Sequence, residues 1–180
     1  MKLHLGCGKK HLRGYLNIDI LDGPEIDLVS DVRFLREIPN SQVEEIYACH
    51  ILEHFGRHEI QNVLAEWYRV LLPNGILRLA VPNFDACVKY YTQNAEKGIK
   101  DILGLIIGGQ RNQYDFHKMI FTKDSLRNLL QEAGFTSIKE WDWRNTDHSN
   151  IDDYSQAYLP HMDKLNGTLM SLNLEAKKNV

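Results

Sequence analysis

An amphipathic helix pattern that stops at a turn and runs straight into an apolar strand pattern is what most restricts the fold of this chain. Between Arg57 and Leu72, the residues Ile60, Val63, Leu64, Trp67 and Leu71 share one face at helical spacing, and Pro73-Asn74-Gly75 ends the run. Ile76 to Val81 (ILRLAV) then reads as a strand covered on both faces of a sheet. Four shorter strand patterns precede this unit: Leu3-His4-Leu5, Tyr15 to Ile20, Ile26 to Ser30 and Glu45 to Cys49. Downstream, a helix is predicted over Asp85 to Lys97 with Asn83 as its cap, and another over Thr122 to Ala133, closed by Gly134-Phe135. Thr136 to Asp142 and Ser171 to Lys177 read as two last strands with no helix between them. Strands alternating with helices predict an α/β fold with a parallel core and an antiparallel edge. The weakly periodic stretch from Trp143 to Met170 is too long for a plain connection, and is expected to be either functional or poorly ordered.

A length of 180 residues fits one domain spanning the whole chain. The 21 Lys and Arg against 24 Asp and Glu leave a charge of -3, which provides no footprint for nucleic acid or an anionic membrane. No apolar run reaches the ~20 residues of a membrane span, and the first residues lack a signal-peptide pattern. Cys7, Cys49 and Cys87 are odd in number and widely spaced, as in a reduced cytoplasmic protein without a disulfide or cysteine-zinc framework.

The candidate chemistry gathers at strand ends. Gly6-Cys7-Gly8 closes the first strand, where ligands of open α/β sheets bind; it is either a backbone surface for a ligand or simply a tight turn. Asp19 closes the second strand, where a carboxylate can accept both hydroxyls of a ribose or merely face solvent. Asp31-Val32 closes the third, where a carboxylate and the next N–H can meet an adenine. A dinucleotide fingerprint needs a third glycine, and His11 stands in its place, which disfavours a nicotinamide-dependent oxidoreductase. A phosphate-free adenosyl cofactor does not need that glycine. His50-x-x-Glu53-His54 has the letters of an inverted zinc-protease motif. That motif requires an unbroken helix, whereas His50 follows a strand and Gly56 follows closely; no metal is expected here, nor at His54 and His58.

LHLGCG, NIDI, SDV, ACHILEHF, RVLLPNG and ILRLAVPN, in this order, resemble the class I S-adenosylmethionine-dependent methyltransferases. They are most similar to a small type-11-like group associated with bacterial surface-polysaccharide synthesis. GGQRNQYDFH, LRNLLQEAGF and SLNLEAKK extend the resemblance over nearly the whole chain. It implies a Rossmann-like seven-stranded sheet, mostly parallel with an antiparallel last strand, and helices on both faces. It also implies S-adenosyl-L-methionine as cofactor, with Gly6, Cys7 and Gly8 against its methionine portion. Asp19 would then hold the ribose, Asp31 and Val32 the adenine, and His50 would border the sulfur. Leu5 and Ile20 flank these positions and complete the implied cofactor-binding set. The departure lies between Gly8 and Tyr15, too short for the helix that larger relatives have there.

A methyl acceptor with a neutral hydroxyl needs a general base. His117, in a loop expected at the carboxyl edge of the sheet, is the candidate, with Asp85 a weaker one that also reads as a helix-start acid. Trp143 to Tyr158 mixes aromatic and acidic side chains, as a lid over a saccharide or small-molecule acceptor would. The exposed cluster Lys9, Lys10, His11 and Arg13 could meet a phosphate-bearing acceptor. The face without its helix could be covered by a second copy in a homodimer. The alternative is a non-catalytic cofactor-binding or interaction protein on the same fold.

Overall fold

The computed structural model describes residues 1–179. Its centre is a seven-stranded sheet built from β1 (Lys2–Leu5), β2 (Leu16–Asp19), β3 (Leu28–Val29), β4 (Val43–Cys49), β5 (Leu71–Pro82), β6 (Phe135–Glu140) and, last in the chain, β9 (Ser171–Lys178). The spatial order is β3-β2-β1-β4-β5-β9-β6. The first five strands run parallel, while β9 is inserted antiparallel to both neighbours. A two-stranded ribbon, β7 (Tyr158–Leu159) with β8 (Thr168–Leu169), lies outside the sheet. The α/β class and the antiparallel last strand are as expected. The fifth strand is longer than Ile76 to Val81, because Val43 pairs with Leu71 and the ladder resumes at Glu45 and Ile76 across a bulge that absorbs Pro73-Asn74-Gly75.

The helices are α1 (Ile60–Val70), α2 (Phe84–Gln93), α3 (Leu103–Ile107) and α4 (Lys123–Glu132). Asn83 caps α2 by accepting from the Ala86 N–H, and Thr122 with Ser125 forms a capping box on α4. The apolar stripe predicted for α1 is its buried face.

Because side chains alternate along a strand, the sheet has two chemically distinct faces. On one, Leu3, Leu5, Ile46, Ala48, Leu77, Leu79 and Leu174 join Val63, Leu64 and Trp67 of α1 and Leu126 and Leu130 of α4 in a continuous core. On the other lie His4, Asn17, Glu45, Tyr47, Arg78 and Asn173, all largely buried except Arg78, which is half-buried. No helix connects β1, β2 and β3; turns do so instead. Residues 141–157 of the same chain pack on the polar face. The Tyr47 hydroxyl donates to Asp153 at 2.7 Å, Asn173 Nδ2 donates to the Ser155 carbonyl at 3.0 Å, and His148 stacks on Tyr47 with ring centres 4.3 Å apart.

Candidate functional site

The turn after β1 is shaped by Gly6. Its φ of +64° is left-handed, and a Cβ there would lie 2.7 Å from the Ile51 side chain, so only glycine lets the turn close on that residue. The turn is then tied to the end of β2: Gly6 N–H donates to the Ile18 carbonyl at 2.9 Å and Gly8 N–H to Asp19 Oδ2 at 2.8 Å. The Leu21 N–H donates to Asp19 Oδ1 at 2.9 Å. Each Asp19 oxygen thus accepts one backbone N–H and keeps a lone pair for a ligand. Asn17 takes over the work of the absent helix. Its Oδ1 accepts from the Leu12 N–H at 2.8 Å, and its Nδ2 donates to the Leu12 and Tyr15 carbonyls and to Asp27. Nothing in the sequence beyond its place between two apolar strand residues marked Asn17 as this hub.

Two adjoining cavities open at the carboxyl ends of the strands. The first, of about 250 Å³, is lined by Gly6, Asp19, Ile20, Asp31, Val32, Ile51 and His54, with Tyr114 and Lys118 at its rim. Arg33 forks onto Asp31, with contacts of 2.7 and 3.0 Å, and reaches Glu59 at 2.8 Å. Burial pulls the Asp31 carboxyl up, but the hydrogen bonds and charge of Arg33 outweigh it and leave the group below its ordinary value. Val32 is fixed by its carbonyl, which accepts from Trp67 Nε1 at 2.9 Å.

The second cavity, of about 490 Å³, is lined by His50, His54, Asp101, Arg111, Asp115, His117, Tyr154 and His161 among others, and shares His54 with the first. The loop from Gly108 to His117 is held compact by Asp115, whose carboxylate meets Arg111 Nε at 2.6 Å. A Cβ on Gly108, which has a φ of +82°, would collide with the Asp115 carbonyl. His117 donates from Nδ1 to the Leu105 carbonyl at 3.0 Å, and burial holds its imidazole below the usual histidine range. Behind it, Glu53 is fully buried and its carboxyl is pushed up to about 8 by desolvation. His50, with a left-handed φ of +52°, is lowered to about 3, first by burial and then by the neighbouring His117 and His54.

Of the residues implied by the resemblance, Gly6, Asp19, Ile20, Asp31 and Val32 line the first cavity. Leu5 points into the apolar core, Cys7 is buried with its thiol pushed up to about 12 by desolvation and by Asp19, and Gly8 contributes its N–H to Asp19. His50 and His117 lie in the second cavity. Asp85 accepts from the Lys123 N–H at 3.1 Å, joining the starts of α2 and α4 outside both cavities. Of the segment expected as a lid, Tyr154 lines the second cavity and packs on His50, whereas Trp143 lies against Arg144 and Lys164 and lines neither cavity. Lys9, Lys10, His11 and Arg13 line neither cavity. Sequence reasoning missed Ile51, Arg111 and Asp115 as cavity residues, and dismissed Glu53. Its one signal was an acid between the apolar pair Ile51-Leu52 and the pair His54-Phe55.

Residues 9–79 match the family described as "Methyltransferase domain". A solved S-adenosylmethionine-dependent methyltransferase from Archaeoglobus fulgidus aligns with a TM-score of 0.59 at 16% identity, over 98% of this chain and 85% of that one. A possible histamine N-methyltransferase from Thermotoga maritima aligns with a TM-score of 0.63 at 15% identity, over 99% and 82%. The chain has the methyltransferase fold. A 1,6-didemethyltoxoflavin-N1-methyltransferase from Burkholderia thailandensis, solved with its acceptor and S-adenosylhomocysteine, shares that fold with a TM-score of 0.59 at 14% identity, over 99% and 71%. No curated protein sequence matches the chain.

S-adenosylmethionine is the cofactor of the enzymes named for this fold, and the donors of the first cavity fit it. Asp19 retains two lone pairs for vicinal hydroxyls, and the glycine turn removes any side chain from the approach. Among the described residues no helix is long and apolar enough to cross a membrane.

Proposed function

We propose that this protein is an S-adenosylmethionine-dependent methyltransferase that modifies a hydroxyl of a small polar acceptor, a saccharide in preference to an aromatic molecule. The observation that carries the reading is the junction of the two cavities at His54, one with donors that fit a nucleoside and the other lined by polar side chains together with Leu105, Leu159 and Met170. In this reading Asp19 holds the ribose, Val32 and Asp31 border the adenine, and Gly6 admits the chain toward the junction. When bound, the cofactor supplies a methyl group already activated by its sulfonium. The protein's task is then alignment of the acceptor and exclusion of water. Arg111, Asp115, Asp101 and His161 provide donors and acceptors for a polyhydroxylated molecule, and the Tyr154 ring provides a face for it. Removal of the hydroxyl proton falls to the junction, where His117 presents an unshared Nε2 pair because its Nδ1 proton is spent on Leu105. A role in bacterial surface-polysaccharide synthesis is consistent with that acceptor class and rests on the sequence resemblance.

Calorimetric titration with S-adenosylhomocysteine, with NADH in parallel, tests the cofactor half of the reading. The expected result is saturable binding of the first and none of the second. Asp19→Ala should weaken binding by roughly 100-fold or more, the worth of two hydrogen bonds to a charged group. Asp19→Asn, which keeps one acceptor oxygen but sets an NH2 against a backbone N–H of the turn, should fall between. Binding of NADH, or of neither ligand, overturns it.

A further inference from the structure

The carboxyl of Glu53 is fully buried, and neither of its oxygens has a hydrogen-bond partner among the described residues. A buried polar group left in that state costs roughly 1–3 kcal/mol, so its surroundings should reveal what satisfies it. His117 Nε2 lies 3.8 Å from Oε1, and His50 Nδ1 lies 3.4 Å from the same oxygen. The His54 ring meets His117 edge-on, with centroids 4.9 Å apart. One donor atom each from Glu53, His54 and His117 fall within 4.8 Å of one another.

The tautomers follow from chemistry. His54 Nδ1 lies 3.1 Å from the Phe116 carbonyl and His117 Nδ1 lies 3.0 Å from the Leu105 carbonyl. A carbonyl only accepts, so both Nδ1 atoms carry the proton and both Nε2 atoms carry an unshared pair. The junction therefore collects a carboxyl without a hydrogen-bond partner and two imidazole lone pairs. One proton can satisfy one such pair, whereas a metal cation satisfies all three together. The fixing of each imidazole through its other nitrogen to a backbone carbonyl is also what metal-ligating histidines use to hold tautomer and ring orientation.

We propose that Glu53, His54 and His117 form a binding site for a divalent first-row transition metal, Zn²⁺ being the representative ion. Two imidazoles and one carboxylate suit such an ion better than Mg²⁺ or Ca²⁺, which favour all-oxygen shells. Three protein ligands leave a position open, the arrangement of catalytic rather than structural zinc sites. His54 borders both cavities and His117 borders the larger, so the open position faces the space assigned to the acceptor. With the ion bound, His117 would be its ligand rather than the base, and the ion as Lewis acid would let a coordinated acceptor hydroxyl release its proton to water more readily. That role rests on the methyltransferase reading; the metal site itself does not. The helix demanded by the protease-like letter pattern is indeed absent, since Leu52–His54 is a single 3-10 turn, but the third ligand comes from a residue remote in sequence.

The test is titration of chelator-stripped protein with Co²⁺, followed by visible absorption and by competition with Zn²⁺, on the unaltered chain and on Glu53→Gln and His117→Gln. One ion per chain is expected, with affinity at least tenfold lower in each variant. S-adenosylhomocysteine affinity should be unchanged in both variants, which also reports that they fold. If Glu53→Gln does not fold, His117→Gln carries the test alone. Absence of saturable Co²⁺ binding overturns the site, as does binding equally tight in both variants, which would assign the ion to other side chains. Metal binding without nucleoside binding would sink the cofactor reading and leave the site standing; nucleoside binding without metal would do the reverse.

Discussion

On one face of the central sheet, Leu3, Leu5, Ile46 and Leu77 meet the apolar stripes of α1 and α4; on the other, Tyr47, Arg78 and Asn173 meet a segment with hardly any regular structure. A helix presents a continuous apolar stripe, and burial against it is non-directional, so leucines and valines suffice. Residues 141–157 present turns and single 3-10 helical turns instead. Such a segment brings its own backbone polar groups, which must be paired wherever they are buried. The strands beneath it accordingly carry partners: Asn173 takes the Ser155 carbonyl, Tyr47 takes Asp153, and Trp141 donates from Nε1 to the Leu79 carbonyl at 2.9 Å. The difference teaches that a parallel sheet can lose the helices of one face if polar residues replace apolar ones at alternate strand positions.

The largest effect expected from this contrast is on the apolar face. Trp67 is completely buried in α1 and its indole N–H is spent on the Val32 carbonyl. Trp67→Ala should cost about 3–5 kcal/mol, read as a lower urea midpoint with little change in slope. It should also weaken S-adenosylhomocysteine, because Val32 borders the first cavity. A cost near 1 kcal/mol would show that the apolar face is not the main source of stability.

The apolar face was also the legible one. Its helices, the strand Ile76 to Val81 and the closing antiparallel pair follow from periodicity, because hydrophobic spacing is read directly along a chain. Asp19 and Asp31 were legible for a related reason: they sit at strand ends, where position alone implies exposure to a ligand. The polar face was not legible, since Asn17, Glu45 and Tyr47 in a strand look like solvent-facing alternation until residues remote in the chain cover them. Glu53 stayed hidden for the same reason. His50 and His54 are near it in sequence, but His117 reaches it only through the loop that Asp115 folds back.

The polar face should show its character in acid. His4 is buried against Asn17, Tyr47 and the strands on either side, and desolvation lowers its pKa from 6.5 to about 4. Between those values the unfolded chain binds the proton and the folded one does not, so stability is full above about pH 6.5 and falls as pH drops toward 4. Near pH 5 the loss from His4 alone is about 2 kcal/mol. Urea unfolding at neutral pH and near pH 5 should show a steep loss in the unaltered protein and a shallower one in His4→Gln. The other lowered histidines, His148 included, keep the variant from becoming flat. Identical profiles would mean that water reaches His4 and that the polar face is less closed than its contacts imply.

The smallest effect is expected where the polar face meets solvent. Lys139 on the edge strand β6 lies 3.1 Å from Glu175, which Arg78 also approaches at 3.4 Å. Geometry alone would rank this pair with the others on the face, but Lys139 is 69% exposed and Glu175 keeps Arg78 when the lysine is removed. An exposed ion pair gains little in water and gives up side-chain entropy to form. Lys139→Ala should therefore change stability by less than about 0.5 kcal/mol, with little dependence on added salt. A loss above 1 kcal/mol that added salt abolishes would mean that long-range charge attraction, rather than buried hydrogen bonding, holds this face to its cover. Asn17 and Tyr47 would then matter less than the ring of charges around them.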